Sequence, residues 1–326
     1  MVPASMKLPL IDLAPLIAGD SSAADRVAAE IDSACRQHGF FVITGHGVPT
    51  AAIDAVQNSA RSFLRLPEAE KSEIAMANAG SAWRGWFPLG GELTSGVADQ
   101  KEGIYFGRED APSSVPLHGP NQFPSRPREL RDAVLEYLDR LESLGHLLVG
   151  AVERGLGCPA GSLTQLIEDP TILFRVFAYP PQGRVSADEQ WGVAEHTDYG
   201  LLTILHQDST GGLEVRSGGR WTPVTPVAGS FVCNIGDMLE RVTGGAYVST
   251  PHRVQNRGDA LRLSLPFFFD PSWDARVHPI EGLQVDADRT AAVSERWDGA
   301  DPLLFEGTYG EYLWERVGRV FPRLQS

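Results

Sequence analysis

Cysteine is scarce in this 326-residue chain: Cys35, Cys158 and Cys233 are odd in number and far apart. They suit neither a disulfide framework nor a thiolate zinc site, and are expected to be reduced, buried thiols. No apolar run approaches the roughly 20 residues needed to cross a bilayer. Met1 to Leu10 lacks the basic stretch followed by an apolar one that marks a signal peptide, so the expected location is cytoplasmic. Positive charge is also short: 28 Lys and Arg against 42 Asp and Glu leave a formal net charge of −14. A surface this acidic repels nucleic acid and anionic membranes and argues against both as partners. It leaves open the sign of the charge inside a pocket. Repeats and low-complexity tracts are absent too. Hydrophobic residues, at 42%, suffice for a sizeable core and exclude global disorder.

The first half reads as helical. Asp20 or Ser21 can cap a helix with the stripe Val27, Ile31, Ala34 and Cys35, stopped by Gly39. Phe40 to Thr44, an apolar run between glycines, reads as a buried strand. Thr50 caps a second helix reaching Leu64, and Pro67 opens a short one to Met76. Residues 79–126 are rich in Gly, Pro and Ser and read as loop with short strands. Pro127 opens the longest helical pattern, from Leu130 to Val152, ended by Gly155 or Gly157. A helix this long is expected to be a scaffold for a sheet. Then the period changes. Segments 171–179, 191–198, 201–208, 212–217, 220–224, 230–237, 246–254, 261–269 and 275–280 are short, β-rich and separated by turn residues. That spacing predicts an antiparallel sandwich or jelly roll, with a last helix from about Tyr309 to Val320. The fold class is α+β, with a β-barrel at its centre.

Among eight His and 42 acidic residues, about one His-x-acid triplet is expected by chance. There are two, His196-Thr197-Asp198 and His206-Gln207-Asp208. On a strand, residues i and i+2 share a face. A His and an Asp so placed, with a second His from another strand, make a facial triad that leaves positions open and suits Fe(II). His252, at the start of a β segment, is the best third ligand. His206-x-Asp208 precedes the turn Ser209 to Gly212 and reads as strand end plus turn, although a regular strand would let His206 face the pocket. Arg262 and Ser264 share a face of the apolar run Arg262 to Phe269. An Arg there needs a carboxylate partner, and Tyr179 adds a phenolic donor. Asp237 reads as a turn residue, and Trp83 and Trp86 as packing or as one wall of a pocket.

Longer motifs carry a specific resemblance. They are Leu8-Pro-Leu-Ile-Asp-Leu13, the stretch from Ala34 to Pro49, Arg84 to Glu92, and Asp99 to Gly107. Glu195-His-Thr-Asp-Tyr-Gly200, Asn234-Ile-Gly-Asp237, His252-Arg-Val254 and Arg262-Leu-Ser264 follow. Together they resemble the isopenicillin N synthase-like family of non-haem Fe(II) oxygenases, most of which use 2-oxoglutarate. The resemblance implies a double-stranded β-helix (jelly-roll) core with N-terminal helices and a long scaffold helix packed on the sheet. It implies an N-terminal helical and mixed region, 1–125, and a jelly-roll domain, 126–326, forming one compact catalytic unit. His196, Asp198 and His252 would bind iron and be catalytic. Arg262 and Ser264 would hold the distal carboxylate of 2-oxoglutarate, assisted by Tyr179, and Phe268 would flank the substrate. The implied reaction uses Fe(II), 2-oxoglutarate and O2 to hydroxylate, desaturate or cyclise a small molecule in secondary metabolism, releasing succinate and CO2. Phe177-Ala178-Tyr179-Pro180 stands where plant members usually carry Asn-Tyr-Tyr-Pro, which implies a more apolar substrate end. Three rivals remain: an isopenicillin N synthase-type oxidase without 2-oxoglutarate, a zinc hydrolase, and a non-catalytic metal-binding barrel.

Overall fold

The computed structural model describes residues 7–94, 96–181, 191–283 and 301–320. After the short helix α1 (Ala14–Ile17), Asp20 caps α2 (Ser21–Gln37) by accepting from the backbone N–H of Ser22 at 3.0 Å and of Ala23 at 3.1 Å. Gly39 ends the helix with a φ of +63°, and a Cβ there would collide with the Val248 carbonyl. Thr50 is not a cap. Pro49 holds that position, and α3 (Thr50–Leu64) begins at Thr50 itself. The short helix after Pro67 is interrupted: α4 (Glu68–Lys71) passes into a 3₁₀ turn, and Ala75, at ψ 137°, leaves helical space.

The scaffold helix is α5 (Glu129–Leu156), ended by Gly157 in the left-handed region at φ +64°. Gly155 therefore lies inside the helix. It lets α2 approach, since a Cβ there would sit 2.5 Å from the Ala28 carbonyl.

Two sheets face each other. The strands of the larger are β1 (Leu10–Asp12), β2 (Phe40–Thr44), β3 (Gly85–Phe87), β6 (Glu102–Gly107), β7 (Pro170–Tyr179), β9 (Leu202–Gln207), β12 (Phe231–Ile235) and β14 (Arg262–Ser272). Their order is β1-β2-β12-β9-β14-β7-β6-β3. The smaller sheet has β8 (Val193–His196), β10 (Leu213–Ser217), β11 (Arg220–Pro223) and β13 (His252–Val254), in the order β11-β10-β13-β8. A hairpin of β4 (Leu93–Thr94) and β5 (Val97–Ala98) stands apart. This is the expected α+β jelly roll, and N-terminal strands form both edges of its larger sheet.

The β expectations were too long in places. Segment 230–237 divides into β12 and a buried helix, α6 (Asp237–Val242); Asp237 is thus the first residue of a helix rather than a turn residue. Segment 246–254 shrinks to β13, and 275–280 holds only an isolated bridge between Arg276 and Thr308. Cys35 and Cys233 are buried free thiols, whereas Cys158 is half-buried. No described helix is long and apolar enough to cross a membrane.

The central strand β14 alternates. Leu263, Leu265, Phe267 and Phe269 are fully buried on one face, and Phe269 packs under α5. Arg262, Ser264, Pro266, Phe268 and Asp270 line a cavity on the other. Pro266 introduces no bulge, because the register with β7 is continuous from Arg262 opposite Tyr179 to Phe269 opposite Ile172.

Two glycines of α5 predict opposite outcomes. A Cβ on Gly145 would lie 2.6 Å from the Phe269 ring, whereas Gly150 has open space. Gly150→Ala should stabilise the protein by about 0.5–1 kcal/mol through helix propensity. Gly145→Ala should destabilise it, because overpacking costs about 1–3 kcal/mol and exceeds that gain. Urea unfolding midpoints should move in opposite directions. A parallel shift would mean that α5 packs loosely on the sheet.

Candidate metal centre and carboxylate pocket

His196 ends β8, and the antiparallel pairing with β13 puts His252 directly opposite it. The two rings lie 4.2 Å apart, and the edge of Phe40 supports His252 at 5.3 Å. Each imidazole pairs through Nδ1 with a carbonyl two residues earlier. His196 reaches Ala194 at 2.8 Å and His252 reaches Thr250 at 3.2 Å. With Nδ1–H donating, each Nε2 keeps its lone pair for a metal.

Asp198 does not share a strand with His196, as its i+2 spacing suggested. The strand stops at His196, and Asp198 sits in the following turn. The Asp237 backbone N–H, at the start of α6, donates to the Asp198 carbonyl at 2.8 Å. On the side chain, Oδ2 accepts from Thr203 Oγ1 at 2.5 Å and from Asn234 Nδ2 at 2.6 Å. That leaves Oδ1 facing His196 Nε2 at 3.8 Å and His252 Nε2 at 3.7 Å. All three donor atoms lie within 4.8 Å of one another.

Electrostatics keeps the donors unprotonated. Burial pushes His196 down, and burial beside His196 pushes His252 down to about 4. Burial alone would raise the Asp198 carboxyl. The neighbouring His252 and His196 and the two side-chain hydrogen bonds outweigh it and hold the carboxyl below its usual range. Two neutral imidazoles and one carboxylate grouped on one side are a donor set that fits Fe(II) with positions left open. Thr203 and Asn234 were missed in the sequence. The clue was their place in adjacent strands, since Asn234 pairs with Thr203 across β12 and β9.

A second polar site lies on β14. Arg262 is fully buried; its Nε donates to the Gly211 carbonyl, while Nη1 and Nη2 have no partner among the described residues. Its guanidinium lies 4.6 Å from the Tyr179 ring centroid, and the Tyr179 hydroxyl is 3.3 Å from Ser264 Oγ. Unsatisfied buried donors are costly, so two of them on one guanidinium form a preorganised seat for a carboxylate.

Both sites open into one cavity of about 480 Å³. Phe268 lines it. His206 does not: Thr203 and Leu205 occupy the cavity face of β9, so alternation turns His206 away, edge-on to Phe231 at 5.9 Å. Trp83 and Trp86 are also outside the lining; Trp86 Nε1 donates to Glu102 at 3.0 Å. The cavity lining mixes apolar and charged side chains. Phe177 is there, and Arg175 two residues earlier on β7 lines the cavity with it, as do Glu92, Lys101 and Tyr105 from segments remote from the Phe177 to Pro180 motif.

Comparison with known proteins defines the class. Residues 8–126 match the family described as non-haem dioxygenase in morphine synthesis N-terminal, and residues 169–271 match the 2OG-Fe(II) oxygenase superfamily. A probable iron/ascorbate oxidoreductase of Dictyostelium discoideum is 42% identical, over 92% of this chain and 90% of its own. A homoarginine-6-hydroxylase of Arabidopsis thaliana is 35% identical, over 96% and 97%. Among solved structures, a full-length Neurospora crassa protein in complex with alpha-KG and thymine has a TM-score of 0.80 at 26% identity, with 98% of both chains covered. The chain belongs to the non-haem Fe(II)- and 2-oxoglutarate-dependent oxygenases. It is an enzyme that oxidises a small molecule with Fe(II), 2-oxoglutarate and O2.

Removing the hydrogen bond that orients a metal-binding carboxylate typically costs 10–100-fold in affinity. Asn234→Ala should therefore weaken metal binding about 10–100-fold, and Asp198→Ala should abolish it, both with the fold retained. His206→Ala should leave it unchanged. Anaerobic Fe(II) titration measures all three. An empty site in His206→Ala beside a full one in Asn234→Ala would reverse the choice between the two triplets.

Proposed function

We propose that His196, Asp198 and His252 hold the iron, and that Arg262, Ser264 and Tyr179 hold the distal carboxylate of 2-oxoglutarate. The observation that carries this reading is the buried Arg262 guanidinium, both terminal nitrogens unpartnered among the described residues, in the same cavity as the three converging donors. When bound, iron and 2-oxoglutarate supply an oxidant from O2 that attacks an unactivated C–H bond, with succinate and CO2 released. The protein's own tasks are to bind, aim and shield. Arg262 offers a planar two-donor fork that matches a carboxylate and fixes its direction. Ser264 and Tyr179 contribute hydroxyls beside it. Thr203 and Asn234 hold Asp198 so that only Oδ1 is free. Phe268 walls the substrate side, where an apolar surface limits water.

In this reading, residues 1–125 and 126–326 work as one catalytic unit, since N-terminal strands form both edges of the sheet that carries Arg262. We also infer a cytoplasmic enzyme of secondary metabolism, with neither nucleic acid nor a membrane as partner. The acidic net charge of −14 supports the latter.

Arg262→Leu tests the reading against its nearest rival, an oxidase that binds a substrate carboxylate at this arginine. Losing a charge-assisted pair costs about 2 kcal/mol or more, so the 2-oxoglutarate constant should rise more than about tenfold. Arg262→Lys should recover part of this, because charge returns without the fork. Succinate formed per O2 consumed should be near one. A ratio near zero with full substrate oxidation would establish the oxidase instead.

A further inference from the structure

A charge cluster in the cavity remains that the iron and 2-oxoglutarate sites do not use. Arg175 lies on the same face of β7 as Tyr179, four residues earlier, which is about 13 Å along the strand. Its side chain is buried and lines the cavity. The guanidinium lies 3.5 Å from the Tyr105 ring centroid, with the Phe268 ring at 5.9 Å. Nη1 donates to the carbonyls of Phe106 and Phe174, both at 3.2 Å.

Arg84 is buried close by and donates to the same Phe106 carbonyl at 3.3 Å, and to Leu117 at 2.6 Å. Two buried guanidiniums thus share one carbonyl oxygen. Among the described residues, neither has a carboxylate in ion-pair contact. The carboxylates of this region are engaged elsewhere. Asp99 and Glu92 bracket Lys101 Nζ at 2.5 and 3.0 Å, and Glu92 also accepts from the Tyr105 hydroxyl at 2.7 Å. Asp270 accepts from the Tyr309 hydroxyl at 2.5 Å and the Leu201 N–H at 3.1 Å. Lys101 thus takes up Glu92 and Asp99, and Asp270 is held by Tyr309 and Leu201, so neither guanidinium has a carboxylate in direct contact with it among the described residues. A buried charge persists only when something compensates it. Cation–π contact and neutral carbonyls compensate a guanidinium in part, and an anion from outside would complete it.

We propose that Arg175 anchors a carboxylate of the substrate, and that the substrate class is small organic acids. The inference rests on the reading that Arg262 takes 2-oxoglutarate, because that leaves Arg175 for the other ligand. Leu173, Phe177 and Phe268 line the cavity with Arg175 and suit the carbon skeleton of such an acid. A charge anchored away from the reacting carbon fixes which C–H bond is presented to the triad, turning remote binding energy into orientation.

Binding without turnover tests this. The protein is loaded with Mn(II) and 2-oxoglutarate under anaerobic conditions and titrated calorimetrically with hexanoate, phenylacetate and norleucine, each against its primary amide. At least one acid should bind ten times or more tighter than its amide. Arg175→Gln should remove that preference, and Arg175→Lys should restore part of it. Both variants should bind 2-oxoglutarate within about twofold of the parent, which also certifies their fold. Equal binding of every acid and its amide by the parent protein needs no variant and would overturn the proposal. So would an acid preference that survives Arg175→Gln, or loss of 2-oxoglutarate binding in both variants. Failure of the parent protein to bind 2-oxoglutarate would instead refute the function assigned to Arg262.

Discussion

The alternation of β14 is the constraint from which the site follows. The strand lies between β7 and β9 in the middle of the larger sheet, so its register is set on both sides. One face supplies the apolar residues that pack beneath the scaffold helix. The other carries Arg262, Ser264, Pro266, Phe268 and Asp270 into the cavity. A slip of one residue would exchange these faces, burying the guanidinium in the core and putting leucines in the pocket. Fold stability and pocket chemistry are thus enforced by the same hydrogen-bond ladders.

The metal centre depends on a different kind of support. Its two histidines meet because β8 and β13 are paired, but its carboxylate lies outside either strand. Asp198 is held by Thr203, Asn234 and the first turn of α6, all from other parts of the chain. The helix holds the Asp198 backbone carbonyl, while Thr203 and Asn234 engage one carboxylate oxygen and leave the other to face the imidazoles. Burial keeps both imidazoles neutral, so the donors are ready before any metal arrives.

Charge is distributed unevenly between surface and interior. The chain as a whole is acidic, yet Lys101, Arg175 and Arg262 line the cavity, and Arg84 is buried behind Arg175. Such a surface repels anions at long range, where salt screens it, while buried guanidiniums act at contact, where salt does not. Selectivity for an anionic ligand therefore resides in the pocket and not in the protein's overall field.

Periodicity made much of the architecture legible: the cap at Asp20, the scaffold helix from Glu129, the run of short strands, and the last helix from Tyr309. The His-x-Asp motif, His252 and Arg262-x-Ser264 were legible because metal and carboxylate chemistry restrict residue types so tightly. Local pattern could not decide which way His206 points, because that depends on which face of β9 the barrel encloses. It could not show that 237–242 is helical, since the tight approach of Gly236 to Gly200 that starts this helix is a tertiary contact. Nor could it reveal Asn234 and Thr203 as the supports of Asp198, or Arg84 and Arg175 as a pair sharing one carbonyl. The sequence by itself determined the donor types and the strands that carry them, because both are written in local spacing. Which side chains meet, and which are left without a partner, was decided by tertiary pairing, because charge compensation and hydrogen bonding in a buried site depend on neighbours distant along the chain.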